Sequence, residues 1–262
     1  MYRVNIDKLS RMKQKIVLVL VLVLIIGIVG VNILNEDISL GEKPADNGTN
    51  PIDRESLIPE NKTKRTPETD HYPPVLHSSL WEEPIPLPDP INTAGAEDSP
   101  FMDPCGCNLY FVYTPDVDVP IERQLIDGVT GLWSSRRTDD GWSDPEKVKT
   151  SDEDTLDGCP FIQGEELWFC SARPGYTGVN FFIADLDDSN ATNVRYADER
   201  LNDDIVVGEL HITTDGRDLY YHALRPGGTD MDIWVTHLMN GTWSDPENVN
   251  TIKRLSLREC PI

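Results

Sequence analysis

Short apolar runs, separated by turn-forming residues, recur through the second half of the chain. Residues 219–221 and 232–235 are rich in aromatic and β-branched side chains, which pack well on a pleated sheet. Asn240-Gly241 follows the second run and precedes Trp243, and Asn-Gly is a strong hairpin signal because both residues tolerate positive φ. The pattern predicts a strand, a loop, a second strand, a tight turn and a third strand.

A tryptophan closely followed by an acidic residue and proline, and much later by a second proline, occurs three times. The tryptophans and their later prolines are Trp81 and Pro100, Trp142 and Pro160, and Trp243 and Pro261. The separations are 19, 18 and 18 residues, so the spacing agrees as well as the chemistry. Trp142 and Trp243 lie 101 residues apart, which corresponds to two units of about 50 residues. This period, with four short strands in each unit, is typical of a β-propeller.

Each unit is predicted to form one blade of four strands, named a to d from the innermost to the outermost. Strands b and c of the first unit are predicted at 109–113 and 131–136, the four strands of the second at 159–162, 167–171, 180–185 and 194–197, and those of the third at 209–213, 219–223, 232–237 and 243–248. All six tryptophans fall on positions of the repeat, and we interpret them as residues that pack the blades.

Four stretches resemble the WD40-like PD40 repeats of TolB-type β-propellers. They are residues 214–221, 225–228, 232–235 and 240–246, the last of which contains Trp243-Ser244-Asp245-Pro246. The resemblance extends over residues 79–262, and it implies an all-β fold with a partial β-propeller in residues 80–262. Propellers host many unrelated activities, so the resemblance implies little about function.

The repeat does not fill a closed ring, which takes about four to eight blades. Residues 81–89 are predicted to form an outermost strand d that no blade precedes, and Pro261-Ile262 to begin a strand a. We therefore expect about three four-stranded blades plus stray terminal strands, where an intact ring has about five or six blades. We interpret the propeller as truncated; the alternative is that a second chain supplies the missing blades.

Residues 16–34 are almost wholly apolar and span about 28 Å as a helix, which predicts one transmembrane helix. Basic residues within 1–15 keep that N-terminus in the cytoplasm, so the C-terminal domain is predicted to be extracytoplasmic, at the cell membrane. We favour an uncleaved single-pass anchor over a cleaved signal peptide, because the apolar run is long and no A-x-A site follows. Residues 35–79, rich in proline and polar residues, are predicted to be a disordered linker.

The chain carries a formal net charge of −22, although its first 34 residues carry +4. The part of the chain after residue 34 is so acidic that it repels nucleic acid, and we therefore expect no nucleic-acid partner. We interpret the acidity as that of a solvated surface.

The five cysteines suggest one pair. Cys159 and Cys170 are equidistant from the turn predicted at residues 164–165, so they face each other across a hairpin. A cross-strand disulfide and two inert buried thiols both fit this arrangement. Cys260 occupies the position of Cys159 in its own repeat, and Cys105-Gly106-Cys107 lies in a turn. That turn lacks the ligand spacing of zinc sites, so no metal is expected there.

Two functions fit the sequence, which contains no nucleophile elbow, HExxH motif or phosphate loop. The first is a non-catalytic binding or scaffold module for a protein or glycan ligand. Its candidate binding residues are Glu209 and His211, which a short strand presents on one face.

The second function is that of a glycoside hydrolase, because five-bladed propellers of that type place carboxylates on their innermost strands. The candidates are Asp98, Asp157 and Glu209, together with Glu259 at the chain's end. Such an enzyme needs one carboxyl group as general acid and a second as base or nucleophile. Because acids are also expected in the polar connections between blades, we favour the non-catalytic module.

Calcium is the one cofactor that the sequence suggests. Residues 185–190 contain alternating acids but lack the glycine and closing glutamate of an EF-hand loop. We therefore interpret this stretch as a plain turn and expect no cofactor.

Overall fold

The computed structural model describes residues 53–249, apart from 152, 188, 203–205 and 225–230. The predicted transmembrane segment 16–34 and Cys260 lie outside the described residues. Within the described residues, no helix combines the length and the apolar character needed to cross a membrane. The described elements are β1 Ala96–Met102, β2 Asn108–Thr114, α1 Ile121–Gln124, β3 Gly131–Thr138, β4 Gly141–Trp142, β5 Glu146–Lys147, β6 Leu156–Gln163, β7 Glu166–Ala172, β8 Asn180–Asp187, β9 Asn190–Tyr196, β10 Val206–Ile212, β11 Asp218–Leu224, β12 Asp232–Met239, β13 Thr242–Trp243 and β14 Glu247–Asn248.

These strands form three antiparallel sheets, each built from strands that are neighbours in the chain. Sheet 1 has the order β1-β2-β3-β4, sheet 2 the order β6-β7-β8-β9 and sheet 3 the order β10-β11-β12-β13. Strands β5 and β14 pair with β3 and β12 and complete the outer edges of sheets 1 and 3. The prediction of an all-β partial propeller is confirmed at this level, with three blades in the described residues.

The outermost strand of sheets 1 and 3 is broken in the middle, whereas for sheet 3 the sequence predicted one continuous strand at 243–248. The break follows from Asp144-Pro145 and its counterpart Asp245-Pro246, because proline has no N–H to give to the ladder. A serine replaces the missing ladder bonds. The Ser143 hydroxyl accepts the N–H of Arg136 at 3.0 Å, and the Ser244 hydroxyl accepts that of His237 at 3.1 Å.

Apolar side chains fill the two spaces between the sheets. Between sheets 1 and 2 the fully buried members include Leu167, Phe169 and Ala184. Between sheets 2 and 3, Phe181 meets Tyr221 edge-on at 5.5 Å, and Trp168 meets Trp243 at 6.2 Å. Each such side chain stabilises the fold by roughly 1.5–3 kcal/mol through burial. Five of the six tryptophans thus pack the blades as predicted: Trp133, Trp168 and Trp243 are buried, and Trp142 and Trp234 are partly buried against the same clusters.

Trp81 departs from that prediction. Its side chain is 74% exposed, and the described residues before Ala96 form no strand. The stray strand d expected at residues 81–89 is therefore absent. Strand β3 already pairs with β4 and β5 at its outer edge, so this edge of sheet 1 is not open to residues 81–89.

A segment upstream of β1 covers the outward face of sheet 1. Residues 53–92, which we call the N-terminal cap, place Ile58, Leu87 and Ile91 against the aromatic residues Phe111 and Trp133. The sequence predicted a disordered linker as far as residue 79. Within that range Arg54 is buried and Ile58 is half-buried against sheet 1, so these two residues pack on the propeller, whereas most of their neighbours are exposed.

Arg54 is the centre of the cap and is only 5% exposed. Its guanidinium forms an ion pair with Glu97 at 3.3 Å, donates to the carbonyls of Pro90 and Ile91, and lies 4.7 Å from the centre of the Tyr113 ring. Tyr113 donates its phenol hydrogen to the Arg54 carbonyl at 2.8 Å. Burial lowers the pKa of the Arg54 guanidinium, which the nearby Glu97 carboxylate opposes, and burial raises the pKa of Tyr113 to about 12.

Sheet 2 contains the same arrangement, with Arg173 in place of Arg54. Arg173 pairs with Asp157 at 3.0 Å and lies 5.3 Å from the centre of the Phe169 ring. Strand pairing makes Asp157 the counterpart of Glu97 and Phe169 the counterpart of Phe111. Sheet 2 obtains its arginine from its own β7–β8 loop. In sheet 1 the corresponding loop, residues 115–130, has another sequence and includes α1, so the cap provides the arginine.

We predict that Arg54→Ala lowers the free energy of unfolding by about 3–5 kcal/mol, because it leaves the Glu97 carboxylate without its buried partner. The measurement is urea denaturation of the full chain, followed by tryptophan fluorescence. Arg65→Ala is the matched control. Arg65 is 70% exposed and lies 3.7 Å from Asp70, so its loss costs less than about 1 kcal/mol. Equal effects of the two substitutions would contradict a structural cap.

Candidate functional site

The innermost strands of the three sheets carry the same irregularity. Each has one extra residue relative to its partner strand, between Asp98 and Phe101, between Gly158 and Phe161, and between Val207 and Leu210. In the first two bulges Ser99 and Cys159 adopt φ of 50° and 53°. Bulges of this kind re-aim side chains at the rims of sheets and next to binding sites.

The bulges bring three equivalent positions to one place. Strand pairing makes Ser99, Cys159 and Glu209 counterparts. The Ser99 hydroxyl of β1 donates to the Glu209 carboxylate of β10, across 110 positions of sequence. Strands from sheets 1 and 3 therefore meet directly around β6.

A row of rings continues this meeting point along the three strands. The Phe101 ring lies 4.7 Å from that of Phe161, and the Phe161 ring lies 5.2 Å from that of His211. We call the four residues Ser99, Phe101, Glu209 and His211 the inner-strand surface; Phe161, whose ring links those of Phe101 and His211, is only 5% exposed and belongs to the core. Glu209 and His211 are exposed on the same side of β10, whereas Leu210 between them is buried.

The three carboxylates considered for hydrolysis occupy three different register positions. Asp98 pairs with Val112 and is exposed, whereas Asp157 pairs with Ser171 in the next sheet. Glu209 lies in the bulge of β10. Since equivalent strands do not present them at equivalent positions, the repeat itself does not assemble them into one constellation.

Asp157 is held inside a polar network. Its side chain is 8% exposed and pairs with Arg173 at 3.0 Å. The hydroxyls of Thr150, Thr155 and Ser171 also donate to its two oxygens. Four donors engage the carboxylate, so few of its acceptor sites remain for a proton or a substrate. This arrangement is that of a buried structural ion pair.

Cys159 and Cys170 face each other as the sequence predicted. Both are thiols in the structure, with their Sγ atoms 2.7 Å apart. The hydrogen bond with Cys170 raises the pKa of the Cys159 thiol, and burial and the nearby Glu209 carboxylate raise it further. A thiol held protonated in this way is a poor nucleophile, because the thiolate is the reactive form.

The other described cysteines form a pair that the sequence did not indicate. Cys105 and Cys107 are joined by a disulfide. Their sulfur atoms and an oxygen of Asp103 lie within 4.8 Å of one another, but sulfurs joined in a disulfide are not thiolates, so this trio is not a set of metal ligands while the disulfide is present. Oδ1 of Asp103 accepts the N–H groups of Cys107 and Asn108 at 2.7 and 3.1 Å, so the carboxylate closes the turn.

The acidic stretch at 185–190 forms the end of the β8–β9 hairpin. Asp185 accepts hydrogen bonds from Asn193 at 2.8 Å and from Arg195 at 3.0 Å. These two donors lower the pKa of the Asp185 carboxyl group. Its oxygens therefore serve the hairpin, in agreement with the interpretation of this stretch as a turn.

We predict that Asp157→Asn destabilises the protein by about 2–4 kcal/mol, because Arg173 then remains buried without its counter-ion. Asp98→Asn, the same change on an exposed inner-strand residue, should alter stability by less than about 0.5 kcal/mol. Urea denaturation of both variants of the full chain tests this. A stable Asp157→Asn variant would remove the structural explanation of this carboxylate.

We also predict that the Cys159 thiol of the reduced protein resists iodoacetamide at about pH 8, because its raised pKa keeps it protonated. Peptide mass spectrometry locates the alkylated residues. In urea, where the environment that raises the pKa is lost, Cys159 and Cys170 should both react. Faster alkylation of Cys159 in the native protein than in urea would contradict the pKa argument. For the oxidised protein, the same reaction in urea without reductant reports whether the pair is a disulfide.

Comparisons with known proteins give a likeness of fold and nothing finer. No protein-family model matches the sequence, and no curated protein matches it. One similar solved structure is titled "Crystal structure of puromycin hydrolase"; it has a TM-score of 0.40 and 18% sequence identity over 62% of this chain and 26% of that chain. The chain thus spans about a quarter of the length of that structure, and a likeness at this level carries no argument about activity.

Proposed function

We propose that this chain is a non-catalytic binding or scaffold module of the PD40 type, whose ligand is a polysaccharide or a protein. The observation that carries the proposal is the inner-strand surface. Side chains from sheets 1 and 3 meet there through the Ser99–Glu209 hydrogen bond, and the buried ring of Phe161 connects those of Phe101 and His211. A carboxylate, an imidazole and the half-buried ring of Phe101 together offer hydrogen bonds and apolar contact.

The alternative of glycoside hydrolysis has less support. It needs two carboxyl groups about 5–9.5 Å apart in a concave pocket, one of them able to donate a proton. Asp157 is engaged by Arg173 and three hydroxyl groups, which leaves Asp98 and Glu209 as the exposed candidates. A binding module needs neither a free acid nor a free base, so it accounts for the same residues with fewer conditions.

The proposal includes the membrane anchor at residues 16–34, with the propeller outside the cytoplasm. In that compartment Cys159 and Cys170 form a disulfide, as two protons and two electrons pass to a thiol–disulfide oxidant. The net charge of −22 supports an exposed, solvated module and disfavours nucleic acid as its ligand. Release of the full chain from membranes by alkaline carbonate would contradict the anchor.

We propose that a further blade packs on the outer face of sheet 3, supplied by the rest of a longer chain if this propeller is truncated, or otherwise by a second chain. Tyr220 occupies on sheet 3 the position that Tyr110 and Trp168 occupy on sheets 1 and 2. Those two residues are buried against the following sheet, whereas Tyr220 is 38% and its neighbour Ile233 56% exposed. A further blade packed on this face would bury both.

The test uses the full chain in lipid nanodiscs, co-sedimented with chitin, cellulose and peptidoglycan sacculi. We predict that the wild type binds at least one of these and releases no new reducing ends. Glu209→Gln and His211→Ala should weaken binding about tenfold each, as expected for lost hydrogen bonds in a binding surface. Glu165→Gln, on the exposed β6–β7 turn, is the matched control and should bind like the wild type.

Two results would overturn the proposal. Reducing ends released by the wild type and lost in Glu209→Gln would favour the hydrolase. If the Glu209→Gln, His211→Ala and Glu165→Gln variants bind polysaccharide equally well, the inner-strand surface takes no part in recognition.

A further inference from the structure

A polar groove opens between sheets 1 and 2, away from the inner-strand surface. It has a volume of about 300 Å³ and is lined by Asn108, Tyr110, Ser134, Ser135, Arg136, Ser143, Glu146 and Ser189. Strands β2, β3 and β5 provide most of this lining, and Ser189 reaches in from the β8–β9 turn of sheet 2. Since β1, β6 and β10 contribute no residue, the groove is separate from the inner-strand surface.

The groove lies where the repeat departs from its own pattern. Ser134 pairs with Tyr110, as Ile183 pairs with Trp168 and Val235 with Tyr220. Ile183 is 8% and Val235 1% exposed, so this position favours an apolar side chain. Sheet 1 instead carries a buried serine. Burying a hydroxyl group costs free energy unless it is hydrogen-bonded, so packing alone does not favour serine there.

The hydroxyl groups of the groove fall into two sets. Ser135 donates to the carbonyl of Ser143 at 2.7 Å, and the Ser143 hydroxyl accepts a backbone N–H, so this pair maintains the broken outer strand. The Ser134 and Ser189 hydroxyls lie 2.9 Å apart, and Ser189 donates to the Glu146 carboxylate at a longer 3.3 Å. This second set joins two sheets through side chains alone, and each hydroxyl can rotate to donate to or accept from a third group.

We propose that the groove binds a neutral sugar residue. Hydroxyls that both donate and accept match the hydroxyls of a sugar, and the ring of Tyr110 gives the groove an apolar part. The volume is at the lower end of the range for ligand pockets, about 300–1,000 Å³, which suits a single sugar unit. Arg136 and Glu146 offset each other in charge, so neither an anionic nor a cationic ligand gains a net attraction. The inference rests on the proposed binding function and assigns it a second, distinct sugar site.

The test measures binding of free neutral monosaccharides to the full chain by saturation-transfer NMR and calorimetry. The probes are glucose, galactose, mannose and N-acetylglucosamine at millimolar concentrations. Ser134→Val places in sheet 1 the residue that sheet 3 has at this position, and Ser189→Ala removes the second hydroxyl from the other side. Each substitution should weaken sugar binding about tenfold, whereas Glu165→Gln, on the exposed β6–β7 turn and outside both sites, should leave it unchanged.

The outcomes separate this inference from the proposed function. If no monosaccharide binds the wild type, or if Ser134→Val and Ser189→Ala both bind like the wild type, the sugar site is wrong. Binding of polysaccharide that depends on Glu209 would then still stand. Suppose that monosaccharides bind and that both groove substitutions weaken this binding, while Glu209→Gln leaves polysaccharide binding unchanged. That result would support the sugar site in the groove and contradict the role of the inner-strand surface in recognition. Ser189→Ala, which removes only one hydroxyl from a half-buried residue outside the strands, keeps the test valid if Ser134→Val does not fold.

Discussion

The structure depends on one requirement, which is that every four-stranded sheet must have its apolar faces covered. Between sheets 1 and 2, and between sheets 2 and 3, the neighbouring blade covers them. Sheet 1 has no described blade on its other side, and the N-terminal cap covers Phe111 and Trp133 instead. The cap therefore does for sheet 1 what a preceding blade does for sheets 2 and 3.

A buried ion pair accompanies this covering in sheets 1 and 2. A carboxylate near the start of the innermost strand, Glu97 or Asp157, is matched by an arginine stacked over the sheet's aromatic residues. An unpaired carboxylate in that position would cost several kcal/mol, so each sheet requires an arginine from some part of the chain. The geometry fixes where the guanidinium lies and not where it comes from in sequence. Arg54 comes before the strands of its sheet in the chain, whereas Arg173 comes from a loop between two strands of its sheet, yet the two guanidinium groups occupy equivalent positions.

The sequence was sufficient to predict the strands and their order but not the features that depend on distant contacts. Alternation and the repeat gave the three blades, because strand formation is largely local. Arg54 was placed in a linker because nothing near it in sequence indicates its partner Glu97. Trp81 was misread because its spacing to Pro100 resembles that of the other two units. Trp81-Glu82-Glu83-Pro84 differs from them in having glutamate where they have Ser143 and Ser244. Those serine hydroxyls replace the ladder bonds that the broken strand loses, and glutamate has no equivalent short-range role. The bulges were not predicted either, although they decide that Asp98, Asp157 and Glu209 occupy different register positions.

Departures from the repeat are informative only when packing does not explain them. Arg54 replaces the loop arginine of sheet 2, and its guanidinium makes three hydrogen bonds and a ring contact inside the protein. The serine at position 134 differs, because the other two blades show that an apolar residue suits this site. Glu209 differs in the same way, since its counterparts Ser99 and Cys159 are small and uncharged. Both residues place polar atoms where the other blades have apolar or uncharged side chains, and this difference from the repeat is the reason why we propose them for binding.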